Sequence, residues 1–583
     1  MKAIAVLAML LISVYFPTTT TENTDESIVK IIGDDSFTHQ NGVVAGNGSA
    51  ENPYLITNLS CKSIWVENTT KHFVIFSLDL SDGSTGIFMK NVSNGRIFNV
   101  SIRNYSYGIY IDGCENVVIE NSSIEECSIN GIYIHSSNNL TVKYSEFSED
   151  NSAITLYNGI SISIRNSYFN NCTVGMAILQ SKNNIFAENT FIHCDEAVTM
   201  AEVEEHASGV DENVVLDNTI KSCSVGIRIS DSLYNNVLSN DFVECSWGIY
   251  IAHGDSTKII GNNFTDSEMI ISSSTGIWIM RNNFRGCGVE IIGNREDNWN
   301  THKIEDNLIN GKPLVYITNS SSVSITRAGE IIVASSMDIV VDRVEIQNTS
   351  VAISIAFSEN CTIKNSVIGN CPKNGIFILK SKNSAISRNY IRNCGKGLDI
   401  HYSSSLDITK NIIYSCNRYA LCLDSSRKNC IESNTLALSL YGIYMSDSSL
   451  NKIYNNSIYQ NGIYGMYLDG ECKRNEIYGN FFFENAIQAR DDGSFNKWNS
   501  SEFGNFWSDY NSYDIDGDGI LSGIYRIEGD AGAVDYLPLT NFPPTIKEKS
   551  ANNFIFLLAL CFIAIIVVCS AVLKWRERLQ KSF

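Results

Sequence analysis

The sequence predicts an all-β protein, a parallel β-helix solenoid closed by a cap, and three observations carry that prediction. The first is self-similarity. A glycine ahead of an apolar alternation recurs at Gly86, Gly108, Gly131, Gly175, Gly226 and Gly248, then at Gly375, Gly397, Gly442 and Gly465, at intervals of about 22 residues or multiples of it. The second is period. In "NNVLSNDFVECSWGIYI" (residues 235–251) apolar and polar residues alternate along two short strands, broken at Asn240 and near Gly248, with no helical spacing. The third is size. So small a unit cannot bury its own apolar face, whereas stacked units can, each strand pairing in parallel with its equivalent about 4.8 Å away. From Gly86 to Asp491 this gives roughly 18 coils and a rod on the order of 85 Å.

The elements follow in chain order. Lys2, the apolar run "AIAVLAMLLISVYF" and the polar "PTTTTENTDE" read as a signal peptide, assigned to residues 1–20. An entry segment with the first coils takes residues 28–85, the β-helix residues 86–310 and 311–496, a cap residues 497–541, and a linker residues 542–553. "FIFLLALCFIAIIVVCSAVL" (residues 554–573) supplies the apolar length of a transmembrane helix. The basic flank "KWRERLQK" places the tail, residues 574–583, in the cytoplasm. The expectation is a single-pass cell-membrane protein with its ectodomain outside. Dense N-x-Ser/Thr acceptors, at Asn47, Asn58, Asn68, Asn91, Asn104, Asn139, Asn171, Asn263, Asn348, Asn360 and Asn499, agree with that placement. A net charge of -20 argues against nucleic acid as a partner, because a phosphate backbone needs a basic surface.

Two ladders follow from the register. Asn189, Asn218, Asn240, Asn262, Asn389, Asn411, Asn434 and Asn456 fall at one turn, where asparagine tolerates a left-handed backbone and its amide can bond the next coil. Cys172, Cys194, Cys223, Cys245, Cys371, Cys394 and Cys416 recur just before the glycine position. Side-by-side cysteines on in-register coils suit a disulfide dihedral badly, so they read as buried free thiols filling space.

Candidate chemistry is sparse. In "NSYDIDGDGI" Asp514, Asp516 and Asp518 hold the first, third and fifth places of a calcium loop, Gly519 allows the turn and the Ile520 carbonyl takes the seventh place. Tyr525 stands where an EF-hand has its bidentate glutamate, so Asp535 or Asp509 is expected to complete a structural Ca2+ site from outside the loop. In "GIYI"-type strands the residue between the inward isoleucines points out, and Tyr110, Tyr133, Tyr250, Trp278, Phe377, Tyr444 and Tyr467 hold that place. Stacked rings there offer a platform for sugars, and equally a ladder that stabilises the sheet. Copper would need Cys, Met or His converging on one face. The histidines are dispersed, and the densest set, His193, Cys194, Met200 and His206, ends in the insertion "AEVEEHASG", so copper is not expected. The adjacent pairs Asp34–Asp35 and Asp491–Asp492 read as solvated turns, and Arg281 and Arg285 as scattered bases. No catalytic residue is assigned.

Three stretches go beyond any β-helix. "NGSAENPYLI" (residues 47–56), "IEDNLINGKPLVYI" (residues 304–317) and "GNFWSDYNSYDIDGDGI" with "VDYLPL" (residues 504–520 and 534–539) resemble the entry, mid-rod and terminal motifs of archaeal NosD-like proteins of the CASH type. That resemblance implies a right-handed, pectin-lyase-like β-helix at a cell surface, and for some relatives copper-centre assembly or polysaccharide binding. The "NTD", "GHG", "RIK", "RxPxxR" and "DPH" signatures of this fold's hydrolases, lyases and epimerases are absent. The expected function is therefore carbohydrate or surface-matrix binding without catalysis. A polysaccharide-modifying enzyme and an accessory in copper maturation are the alternatives.

Overall fold

The computed structural model describes residues 28–202 and 210–541. The segments assigned as signal peptide, linker, transmembrane helix and tail lie outside them, as does most of the "AEVEEHASG" insertion, including His206. Among the described residues no helix is long and apolar enough to cross a membrane, and the one α-helix is Asp297–Asn300.

A coil is built from three strands, as in Asn236–Leu238, Asp241–Val243 and Trp247–Ala252. Each pairs in parallel, in register, with its equivalents one coil away: Val237 with Val215 and Ile259, Phe242 with Ile220 and Phe264, Ile249 with Ile227. Strand alternation turns these residues inward, where they are fully buried. Like side chains then stack on like: Phe147, Phe169 and Phe191 at centroid separations of 4.8 and 4.6 Å, and Phe242, Phe264 and Phe284 at 4.7 and 4.5 Å. The chain is a β-solenoid with almost no helix.

The described chain divides into two compact units. The first runs to Ser321 and adds Arg327–Ser336 and Glu345–Phe357. Its entry coils contain the long strands Phe73–Val92 and Gly95–Asp112, paired in parallel over most of their length. The second unit takes Ser322–Thr326, Met337–Val344 and the chain from Ser358. One of its sheets stacks Asn374–Leu379, Lys396–His401, Tyr419–Asp424, Tyr441–Ser446, Tyr464–Leu468 and Ile487–Asp491.

The asparagines form continuous buried columns. Asn240 donates from its backbone N–H and its Nδ2 to Asn262 Oδ1, at 2.8 and 3.0 Å, and accepts the same pair from Asn218, both at 2.9 Å. The left-handed residue is not the asparagine itself. It is the residue before it, Glu188, Asp217, Ser239, Arg388, Lys410, Ser433 or Asn455, all with φ between 52 and 57°. That corner points a side chain into solvent, so residue type matters less there than at the asparagine. The repeating glycine has another reason: a Cβ at Gly375 or Gly442 would lie 2.7 or 2.5 Å from the carbonyl oxygen of Gly397 or Gly465. All described cysteines are free, and most are buried.

Candidate functional site

The outward face of the second unit's long-strand sheet carries its densest chemistry. Three columns cross it, read by register. The first is Lys396, Tyr419, Tyr441 and Tyr464; the second is Phe377, Asp399, Cys422, Tyr444, Tyr467 and Arg490; the third holds His401 and Asp424. Tyr419 and Tyr444 stack at 4.7 Å and 24°, and Tyr444 and Tyr467 at 5.6 Å and 32°. Separations this short mean offset stacking along the coil axis, so the columns present ring edges and phenol hydroxyls rather than one flat platform. Tyr467 donates to Asp492 Oδ2 at 3.1 Å, and burial, then Asp492, pushes its phenol up to about 12. Among the described residues the hydroxyls of Tyr441, Tyr444 and Tyr464 have no hydrogen-bond partner.

Beside the tyrosines lies a closed ionic cluster. Asp399, only 2% exposed, bonds Lys396 Nζ at 2.8 Å and His401 Nε2 at 2.9 Å, while His401 Nδ1 meets Asp424 Oδ2 of the next coil at 3.0 Å. Burial alone would lower the His401 pKa, but the hydrogen bond and charge of Asp399, with Asp424, raise it. Burial likewise opposes Asp399, and His401 and Lys396 outweigh it, so its carboxyl lies below the usual range. Both imidazole nitrogens are engaged, so His401 is a strap between coils and has no free nitrogen for a substrate proton.

The other aromatics assigned as outward sit differently. Tyr133 is 5% exposed and packed with Tyr107, Tyr110 and His135, the last paired with Asp112 at 2.7 Å. Tyr250 lies under Arg228, which forms a buried ion pair with Glu196 at 2.8 Å. Trp278 does not belong to this column. It pairs in register with Lys258 and Lys303 on a short-strand face, with their ammonium groups 5.2 and 4.8 Å from its ring centroid. The long-strand place of this coil is filled by Glu268–Ser272, which puts Ile270 opposite Tyr250, so the "GIWI" stretch falls after it, with Gly276 in the turn at φ 63°.

At the C-terminal end, the carboxylate oxygens of Asp514, Asp516 and Asp518 converge within 4.8 Å of one another. The loop holds them by backbone bonds from Gly517 and Gly519 to Asp514 (2.7 and 3.0 Å) and from Ile520 to Asp518 (2.8 Å). Asp535 is not part of this set. It is fully buried, and its oxygens accept from the Asn505 N–H (2.7 Å), the Trp507 indole (2.9 Å) and the Leu537 N–H (3.0 Å), which leaves it no reach toward the loop. Burial raises its pKa despite those bonds. Asp509 accepts from Tyr525 at 3.1 Å. Asp491 is also no solvated turn: it is buried and bonds Trp498 Nε1 and Asn496 Nδ2, both at 2.9 Å. Asp34 accepts from Thr69 at 2.7 Å, while Arg281 and Arg285 are exposed. Cys194 and Met200, assigned with His193, point into the sealed core.

A family profile described as periplasmic copper-binding protein (NosD) matches residues 41–207, 146–316 and 315–512. The chain belongs to the NosD family. No curated protein matches it. Among solved structures, this NosD-family chain is similar to a double mutant of the periplasmic alginate epimerase AlgG, at 13% identity over 63% of this chain and 67% of that one, with a TM-score of 0.28. It is also similar to the tailspike protein of E. coli bacteriophage HK620 in complex with a pentasaccharide, at 11% identity over 73% and 71% of the two chains, TM-score 0.29. Likenesses so distant say nothing of a ligand. In the sequence the His401 strap shows only when whole columns are aligned, since residues 401 and 424 lie one coil apart.

Proposed function

We propose that this NosD-family protein is an extracytoplasmic β-helix, held to the membrane by residues 554–573, that binds carbohydrate or surface matrix without catalysis. The observation that carries the reading is the tyrosine face of the second unit, where Tyr419, Tyr441, Tyr444, Tyr464 and Tyr467 line successive coils with several hydroxyls unpartnered. Ring edges and phenol oxygens suit sugar C–H and hydroxyl groups. The neighbouring Lys396–Asp399–His401–Asp424 cluster is bonded within itself and braces the coils under this face. The family's periplasmic description supports the location. We further propose that Asp514, Asp516 and Asp518 bind a structural Ca2+, whose oxygen preference their converging carboxylates fit. A glycan array, paired with reducing-sugar and unsaturated-product assays, tests the function: binding lost in Y444A/Y467A without turnover is the expected result, and turnover of any polysaccharide refutes it.

A second reading, copper handling, is favoured by the family description and by one interior feature. The histidines do not converge among the described residues, but the thiols do form a column.

A further inference from the structure

We infer that one corner of the second unit binds a carboxylated polysaccharide laid along the coil axis, an inference that rests on the carbohydrate reading and adds an anionic class of sugar to it. Residues 358–430 hold eleven Lys and Arg against four Asp and Glu, in a chain whose net charge is -20. Three of those acids are already engaged: Glu359 with Lys382 at 3.0 Å, and Asp399 and Asp424 with His401. The fourth, Asp407, begins the short strand whose far end leads to Lys410. Lys364, Arg388, Arg392 and Lys410 are paired with no acid among the described residues.

These four gather about one turn. Arg388 and Lys410 are the left-handed corner residues of successive coils, at φ 56 and 57°, and both are exposed. On one side of the corner, Lys364 stands one coil earlier, in register with Ser387. On the other side, Arg392 is in register with Tyr414, and its stem crosses the coil before, where a Cβ at Gly369 would lie 3.3 Å from Arg392 Cγ. Cations thus occupy three successive coils. Each coil advances about 4.8 Å, close to the length of one residue in an extended sugar chain, so carboxylates on consecutive residues meet a cation at each step. Tyr390 and Tyr414 join through their hydroxyls at 2.5 Å, their rings at 62°, and offer ring edge and phenol to the sugar between the charges. The acids beside the corner are bonded elsewhere. Asp342, in register with Lys364, accepts from Asn365 Nδ2 at 2.8 Å, and Glu432, in register with Thr409, accepts from Tyr454 at 2.9 Å. In the extracytoplasmic location proposed above, the polyanion met is a glycan and not nucleic acid.

The test titrates the full-length protein with polygalacturonate, neutral dextran and duplex DNA at low and at high salt. R388N/K410N removes two charges and keeps the corner, because asparagine already holds it at Asn365 and Asn455, with φ of 53 and 56°. The expected result is polygalacturonate binding that weakens with salt and is about five- to tenfold weaker in R388N/K410N, while Y444A/Y467A binds it as the native protein does. Equal affinity of native and R388N/K410N, or an equal loss in the tyrosine variant, overturns the corner site and leaves the carbohydrate reading standing. Tighter binding of DNA than of polygalacturonate overturns the ligand class. A native chain that binds neither polygalacturonate nor any member of the glycan array overturns both.

Discussion

Replacing Asn240 by alanine removes one rung of the asparagine column. The side chain donates to the carbonyls of Val215 and Leu238 at 2.9 and 3.0 Å and to Asn262 Oδ1 at 3.0 Å, and accepts two bonds from Asn218 at 2.9 Å. Most of those partners keep another bond: Asn262 Oδ1 still accepts the N–H of residue 240, and Asn218 Nδ2 still reaches Phe186 O. The Asn218 N–H loses its partner. One buried orphan costs about 1–3 kcal/mol and each further lost bond about 0.5–1.5 kcal/mol, so N240A should lose at least about 3 kcal/mol. N91A, which breaks an exposed 3.0 Å bond to Asn68 and places alanine at φ 51°, should lose only about 1 kcal/mol. In a solenoid the damage is local, because each coil touches only its neighbours. Denaturant unfolding measures the loss, and hydrogen exchange should show the Asn218 amide deprotected. If N240A matches N91A in both, the columns are not what couples the coils.

Three other outcomes are expected. Glu330 is fully buried against Thr349 and the Val289 N–H, and burial raises its pKa to about 8. Its contribution is complete below the ordinary glutamate range and lost as pH rises through about 8, so E330Q should flatten the stability decline that the native protein shows between about pH 5 and pH 9 in thermal scans. His401, with its raised pKa, contributes below its ordinary value and loses that contribution as pH rises past it; H401N should remove this pH dependence of melting without altering far-ultraviolet dichroism. Calcium removal should make the cap between Asn505 and Leu539 protease-sensitive while the coils stay resistant. D516N should already behave as the chelated protein does, and equal resistance with and without calcium would refute the site.

Coil structure is legible in the sequence because a period near 22 residues is imposed by parallel pairing itself, and every inward position repeats it. Trp278 shows where that legibility stops. "GIWI" and "GIYI" are the same local pattern, but "EMIIS" already fills the long-strand place of that coil and leaves the tryptophan on the next short strand. The left-handed corner lies one residue from where the sequence suggests it, since asparagine's backbone tolerance and its ladder bonding point to the same position when only one of them operates. Asp535 is not readable as a core residue because its partners, Asn505 and Trp507, lie 30 and 28 residues away across an irregular cap. Carboxylate spacing within "DIDGD" is readable, because neighbours in a tight loop need no tertiary knowledge.

Asp535 has a further consequence. Asn480 donates its N–H and Nδ2 to Asn505 Oδ1, both at 3.0 Å, and Asn505 in turn donates its N–H to Asp535 Oδ2. A carboxylate thus stands where the next coil's asparagine would be, with Trp507 and Tyr525 stacked at 4.1 Å beside it. An unfinished solenoid end is an open template of backbone donors and acceptors. Asp535 answers the last rung with a group that cannot pass the pattern on, and D535A should promote end-to-end association, read by size-exclusion chromatography.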